Sequence, residues 1–421
     1  MNKFLIKTTT TILTRSFKPF TFTSKYHKYI NYDNDPNLGL YVHIPFCEKI
    51  CSFCPYCKMK YSKDKASLYI EALLKEIDIV TYNHPKKEVT SLYFGGGTPS
   101  LCIEYLESII NKLKEHFIIL GDIGIELHPR DINTDLLKKL KSIGFTMISI
   151  GIQSFNLDCL SSLGRNKDEI EKMHKQVFES LKEVKFNTID MDLIFAIPKQ
   201  TKETLINDID TAFANGATQI STYPFIDFTF ANNEYKPMNK KTKKAMLNVI
   251  VDYTKENNLD RTSVWTFGIK NTTKYSSITR DNYLGFGLSS VSLLSNSFKV
   301  NTFSLNDYIK RVNENELPTA LTIDFTKRQR MVYYLFWKTY GMRISKKEFK
   351  EFFNVSLKKM YGLELFLAKL LGYVKETKEE FILTKKGAYI YHLVEQAYTT
   401  AYIDKMWHVL RLEAFPEKMK L

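Results

Sequence analysis

The sequence predicts an α/β fold: a partial (β/α)6-type barrel of parallel strands, followed by a smaller, mainly helical, winged-helix-like C-terminal domain. Three observations carry this reading. Six short runs rich in β-branched and aromatic residues recur between residues 40 and 223, and helical-period stretches follow them. The runs are apolar almost throughout, as strands are when helices cover both faces of a parallel sheet. Residues with evident chemistry fall at or just after the ends of these runs, where a parallel barrel keeps its site.

Taken in order, strands are expected at 40–44, 91–94, 124–127, 146–150, 188–197 and 219–223, and helices at 67–82, 103–117, 135–143, 167–184 and 202–214. From about Asn239 the alternation degrades into a Lys-rich helix, a Gly-containing run at 283–292 and a polar link at 313–318, where the barrel is expected to end. Beyond Asp324 the pattern turns helical, then gives a short strand, a polar turn, another strand and a helix. The expected domains are a basic N-terminal extension (1–38), a barrel core with its accessory region (39–318) and a helical C-terminal domain (319–421).

A chain of 421 residues with 44% hydrophobic and 25% charged residues is long enough for a large core. It lacks an apolar run of about 18 residues that would span a bilayer. Six cysteines, four of them crowded together, are no framework for a secreted fold, so a reducing, oxygen-poor, cytoplasmic setting is expected. The net charge of +14 favours anionic ligands but does not indicate nucleic acid. Lys3, Lys7, Arg15, Lys18, Lys25 and Lys28 precede the first acid, Asp33, and are interspersed with Phe4, Leu5, Ile12, Leu13, Phe17, Phe20 and Phe22. That segment has no signal-peptide h-region; it reads as a basic tail, a transit peptide or a peripheral contact with an acidic membrane surface.

The chemistry concentrates in residues 40–57, LYVHIPFCEKICSFCPYC. Cys47, Cys51 and Cys54 stand too close in sequence to pair comfortably as disulfides, but they can converge on one face of an iron–sulfur cluster. A [4Fe-4S] cubane held by three thiolates leaves one iron for an external ligand, and C-x3-C-x2-C is the spacing associated with S-adenosylmethionine (SAM) as that ligand. A zinc knuckle using all four cysteines is the competing arrangement. Gly95, Gly96 and Gly97 follow the second strand, where missing side chains let backbone approach a ligand; alone the triplet reads equally well as a tight turn.

Taken together, YVHIPFC with its cysteines, FGGGTPSL, IELHPRDIN, ISIGIQSFN followed by LGRNKD, MDLIFAIPKQT and YLGFGLSSVS resemble the radical SAM superfamily. Within it, the chain is similar to the oxygen-independent coproporphyrinogen III oxidase-like family over roughly residues 40–412. The resemblance implies that Tyr41, Gly97, Glu126 and Val291 hold the cluster-bound SAM. It implies that Phe53, Thr98, Gln153, Arg165, Asp192 and Ile226 line a second one. Without the family, Arg165 and Asp192 read equally well as a structural ion pair. Two departures stand out: Cys57 comes three residues after Cys54 where the family has a cysteine at two, and His128 stands where an acidic or small residue is usual.

The implied activity is reductive cleavage of SAM to a 5′-deoxyadenosyl radical that abstracts a substrate hydrogen, leading to oxidative decarboxylation in tetrapyrrole metabolism. A flavodoxin or ferredoxin is the implied electron donor, and the chain is read as a monomer. Alternatives are a two-SAM radical methyltransferase, a haem-opening enzyme, or a haem chaperone carrying a cluster. Against the chaperone, GFGLSSVS lacks the histidine those proteins typically carry. Tyr223, Phe225, Phe228, Phe230 and Trp265 lie where the last strands end and could flank a flat substrate, though core packing explains aromatics equally well. Lys236, Lys240, Lys241, Lys243 and Lys244 read as a solvated helix face or as carboxylate attractors. The C-terminal wing mixes lysines with glutamates, so nucleic-acid binding is not expected.

Overall fold

The computed structural model describes residues 3–16, 18–25, 29–165, 167–228, 236–273 and 281–421. Phe17, Lys28, Asn166 and Phe230, singled out above, lie outside the described residues, as do the side chains of Lys3, Phe4, Leu5, Lys167 and Asp168.

Six parallel strands form where the apolar runs placed them: β1 (Leu38–Ile44), β2 (Leu92–Gly96), β3 (Ile123–Leu127), β4 (Met147–Gln153), β5 (Thr188–Phe195) and β6 (Gln219–Pro224). They neighbour one another in chain order. Five helices alternate with them: α1 (Lys63–Thr81), α2 (Ile103–His116), α3 (Thr134–Ile143), α4 (Lys167–Glu183) and α5 (Lys202–Ala214). Val42, Phe94, Ile125, Ile150, Leu193 and Ile220 of the strands share one core with Leu73, Leu106, Leu137, Val177 and Ile209 of the helices. The helix α1 starts at Lys63, earlier than its apolar periodicity indicates, because Ser62 caps it by accepting from Lys65 N. β4 runs on to Gln153, and its register with β5 shifts between Met191 and Leu193.

The sheet does not close into a barrel. Among the described residues it is an open array of fourteen strands. Thr266–Gly268 pairs antiparallel with β6. On the far side of β1 lies a parallel strand, Asn282–Phe286. Beyond it come Val291–Leu293, Ser297–Asn301 and Thr319–Asp324, then Thr21–Thr23 and Lys418–Lys420, all antiparallel. The polar link at 313–318 therefore joins two parts of this sheet and does not end it, and the expected boundary at 318/319 falls inside it. The added strands were hard to read because sequences such as SFKVN bury lysine and asparagine with their apolar residues, so the all-apolar signature is missing.

The N-terminal segment is built into the molecule. Helix Lys3–Thr14 lies against the C-terminal part: Leu13 packs beside Met331 and Tyr334, and Arg15 pairs with Glu364 at 2.6 Å. Phe22 is buried edge-on against Phe298, with centroids 6.0 Å apart. At the other end, Arg343–Ser345, Val374–Glu376 and Glu380–Leu383 form a small antiparallel sheet around helices Lys346–Phe353 and Leu357–Leu370, in winged-helix order. Helix Lys385–Tyr398 then passes through one π turn, Thr399–Ile403, into helix Asp404–Leu412.

Candidate cofactor and substrate site

After Ile44 the chain turns at Pro45 into a two-residue strand, Phe46–Cys47, which pairs with Met59–Lys60. Met59 N donates to the Pro45 carbonyl at 2.8 Å and Tyr61 N to the Cys47 carbonyl at 2.9 Å, so residues 48–58 form a closed loop at the carboxyl end of β1. Cys47, Cys51 and Cys54 are half-buried free thiols on that loop; Cys57 is buried. Burial pushes the Cys47 thiol up to about 11, and it raises Cys54 as well. Ligation by a metal would have to release those protons. Among the described residues no three cysteine sulfurs lie within 4.8 Å of one another. Three half-buried thiols on one loop beside a cavity form a donor set that fits an iron–sulfur cluster with one open position.

Tyr41, Glu126 and Val291 come together around a cavity of about 230 Å³, beside Gly96 and next to the cysteine loop through Tyr56 and Cys57. Glu126 Oε2 accepts from Gly96 N at 3.1 Å, and burial pushes its carboxyl up to about 7. Gly97 N donates to the Ile44 carbonyl at 2.8 Å, and a Cβ at Gly97 would lie 2.5 Å from the Phe46 carbonyl oxygen. The glycine therefore sets how closely the β2 turn approaches the strand that carries Cys47.

The second group gathers at the neighbouring strand ends. Thr98 Oγ1 lies 3.8 Å from Cys47 Sγ. Phe53 reaches across from the loop into a cluster with Ile194, Ile197 and Phe225, the residue before half-buried Ile226. Gln153 ends β4 at φ +73°. Arg165 donates to the carbonyls of Ile152 at 3.1 Å and Gly151 at 2.9 Å, and its Nε is buried with no partner among the described residues. Asp192 accepts from Ser149 Oγ at 2.9 Å; burial first, then Asp190 and Glu126, raise its carboxyl. Arg165 and Asp192 form no ion pair with each other among the described residues.

Several sequence candidates have packing roles. His128 Nδ1 accepts from Arg130 N at 3.2 Å, capping the turn Pro129–Asp131, and burial with nearby Arg165 and Arg130 pushes it down to about 3. Phe225, Phe228 and Trp265 are buried, and Trp265 Nε1 donates to His392 Nδ1 at 2.9 Å, whereas Tyr223 is 38% exposed. Lys243 is not fully solvated: its Nζ donates to the Phe225 carbonyl at 2.7 Å. Cys57 Sγ approaches the Phe303 carbonyl at 3.9 Å.

Sequence reasoning missed His43, which lies two residues beyond Tyr41 and so on the same strand face. Tyr41 OH donates to its Nδ1 at 3.0 Å, Nε2–H donates to the Cys57 carbonyl at 3.1 Å, and burial holds its pKa at about 4. It also missed helix Asp404–Leu412. Trp407 lines the cavity and packs on Tyr56 at 5.6 Å, and Arg411 Nη2 donates to the carbonyls of Pro55 at 2.6 Å and Tyr56 at 3.1 Å. No local signal ties residue 411 to residue 55; only folding brings them together.

Residues 41–212 match the Radical SAM superfamily model. The chain is 27% identical to the heme chaperone HemW of Bacillus subtilis over 82% of its own length and 95% of that protein. It is 32% identical to the oxygen-independent coproporphyrinogen III oxidase of Pseudomonas aeruginosa over 45% of its length and 42% of that protein. Its fold matches the solved coproporphyrinogen III oxidase HemN of Escherichia coli with a TM-score of 0.75 at 21% identity, covering 90% of this chain and 95% of that one.

Proposed function

We propose that this chain, similar over residues 41–212 to the radical SAM superfamily, is a radical SAM enzyme of the family of HemN and HemW, of the oxidase type that decarboxylates tetrapyrrole propionates. Bound together and reduced by a flavodoxin or ferredoxin, the [4Fe-4S] cluster and SAM supply a 5′-deoxyadenosyl radical. The chain's own residues do the rest. Cys47, Cys51 and Cys54 hold the cluster. Tyr41, Gly97, Glu126 and Val291 seat SAM beside it, with Glu126 able to accept from ribose hydroxyls. Neutral His43 orients the Tyr41 hydroxyl and ties β1 to the cysteine loop. Tyr56 and Trp407 line the cavity beside the cysteine loop and pack on each other.

The observation that carries the oxidase reading is the second group. Among the described residues Arg165 and Asp192 are not spent on each other and Arg165 Nε is buried without a partner, which suits a second bound ligand. A heme chaperone is the second reading, favoured by a sequence match that spans 95% of HemW but 66% of the Escherichia coli oxidase.

The test is anaerobic reconstitution with SAM and a reductant, with and without coproporphyrinogen III, read by mass spectrometry. 5′-Deoxyadenosine with decarboxylated porphyrinogen is the expected result. S-adenosylhomocysteine would instead indicate methyl transfer, and tight haem binding with neither product the chaperone. A Cys54→Ala chain that still makes 5′-deoxyadenosine would overturn the cluster assignment.

A further inference from the structure

Helix Leu357–Leu370 kinks at Tyr361; Leu357 and Tyr361 are buried in the cluster with Phe349 and Phe353, and beyond the kink Leu365 packs on the same cluster. Its other side is bare: Leu363 is 63% exposed, Phe366 58%, Leu367 44% and Leu370 72%, and Leu371 just beyond is 50% exposed. The spacing of three, four, seven and eight residues from Leu363 makes these one continuous stripe along the helix. Isolated exposed leucines are ordinary, but adjoining ones mark a contact surface.

The surroundings indicate what covers it. Lys358, Lys359 and Lys369 on the same helix and Lys375 just after it are exposed. Glu364 and Glu376 are matched by bases, Lys358 and Lys369 being shared with Glu376, and exposed Glu379 has no ion pair among the described residues, so Lys359 and Lys375 with the N-terminal bases carry the free charge. Glu364 pairs with Arg15, and Glu376 is held by Lys346 at 2.8 Å, Lys358 at 2.7 Å and Lys369 at 2.6 Å. Arg15 also brings the N-terminal segment, which has no acid before Asp33, alongside the helix. A second copy of the chain would set these lysines against their own equivalents, whereas an acidic lipid surface complements them. No helix among the described residues is long and apolar enough to cross a membrane, so the contact is peripheral.

We propose that the stripe Leu363–Phe366–Leu367–Leu370–Leu371, flanked by lysines, docks this protein on a bilayer surface containing anionic lipid. Of the described apolar side chains in the N-terminal segment, Leu13, Phe20 and Phe22 are packed on the interior clusters, and Ile12 is 51% exposed. The segment contributes charge.

The test is co-sedimentation of the full chain with vesicles of phosphatidylcholine alone or mixed with phosphatidylglycerol. Light scattering of the protein without lipid accompanies it. The expected result is binding to the mixed vesicles that weakens as salt is raised. A Leu363→Ser, Phe366→Ser, Leu370→Ser chain with unchanged circular dichroism should bind at least about tenfold more weakly. Three results would overturn the proposal: no binding to mixed vesicles, equal binding by parent and variant, or a parent dimer that the variant abolishes.

Discussion

At Gly97 the distance between two turns is set by the absence of one methyl group. A Cβ there would meet the Phe46 carbonyl oxygen at 2.5 Å and its nitrogen at 2.9 Å, both backbone atoms that cannot swing aside. Gly97→Ala should cost about 1–3 kcal/mol in chemical denaturation and lower the iron bound per chain after reconstitution. Gly144→Ala is the control. It has φ +112° and nothing within 4 Å, so it should cost about 1 kcal/mol of backbone strain and leave iron content unchanged. Glu395 offers a test of burial. One oxygen accepts from Thr399 Oγ1 at 3.0 Å, the other has no partner among the described residues, and burial raises its pKa to about 8. Because that value lies above the unfolded value near 4.5, the native state holds the proton longer. Its contribution is complete below pH 4.5 and is lost as pH rises toward 8. In melts across that window, Glu395→Gln should flatten the fall by an amount on the order of a few kcal/mol.

Elements that meet only in the fold govern the cysteine loop. Helix Asp404–Leu412 holds residues 55 and 56 through Arg411 and sets Trp407 against Tyr56 with the rings tilted by 48°. Arg411→Ala should leave the melting temperature within a few degrees of the parent, since it removes part-exposed hydrogen bonds worth about 1 kcal/mol each. Hydrogen exchange in residues 48–58 should accelerate, and the cluster should be lost faster in air. Unchanged exchange would show that Met59–Lys60 and its pairing with Phe46–Cys47 suffice to hold the loop. The βα units were legible because each carries a periodic signature within its own residues: apolar runs in β1 to β6, amphipathic period in α1 to α5. The clamp was not legible, because nothing within residues 404–412 refers to a loop some 350 positions earlier.

Across the whole molecule, the two chain ends seal one edge of the sheet. Thr21–Thr23 lies between Thr319–Asp324 and Lys418–Lys420, pairing Phe22 with Met419. Removing residues 1–24 should expose an unpaired strand edge and strip Phe22 from its cluster with Leu321 and Met419. The shortened chain is expected to melt lower and to aggregate on size-exclusion chromatography. A monomer with the parent's melting temperature would show that the N-terminal strand is dispensable.

By itself the sequence determined the α/β class, the order of the parallel strands, the cysteine loop and the residues at the strand ends, because periodicity and motif spacing are local properties. The tertiary structure decided that the sheet stays open and runs on through buried polar strands. It also placed His43 and Arg411 behind the cysteine loop, and it left the apolar stripe of helix Leu357–Leu370 uncovered. Each of those outcomes depends on which distant segments share a surface, and desolvation and backbone pairing settle that only once the chain has folded.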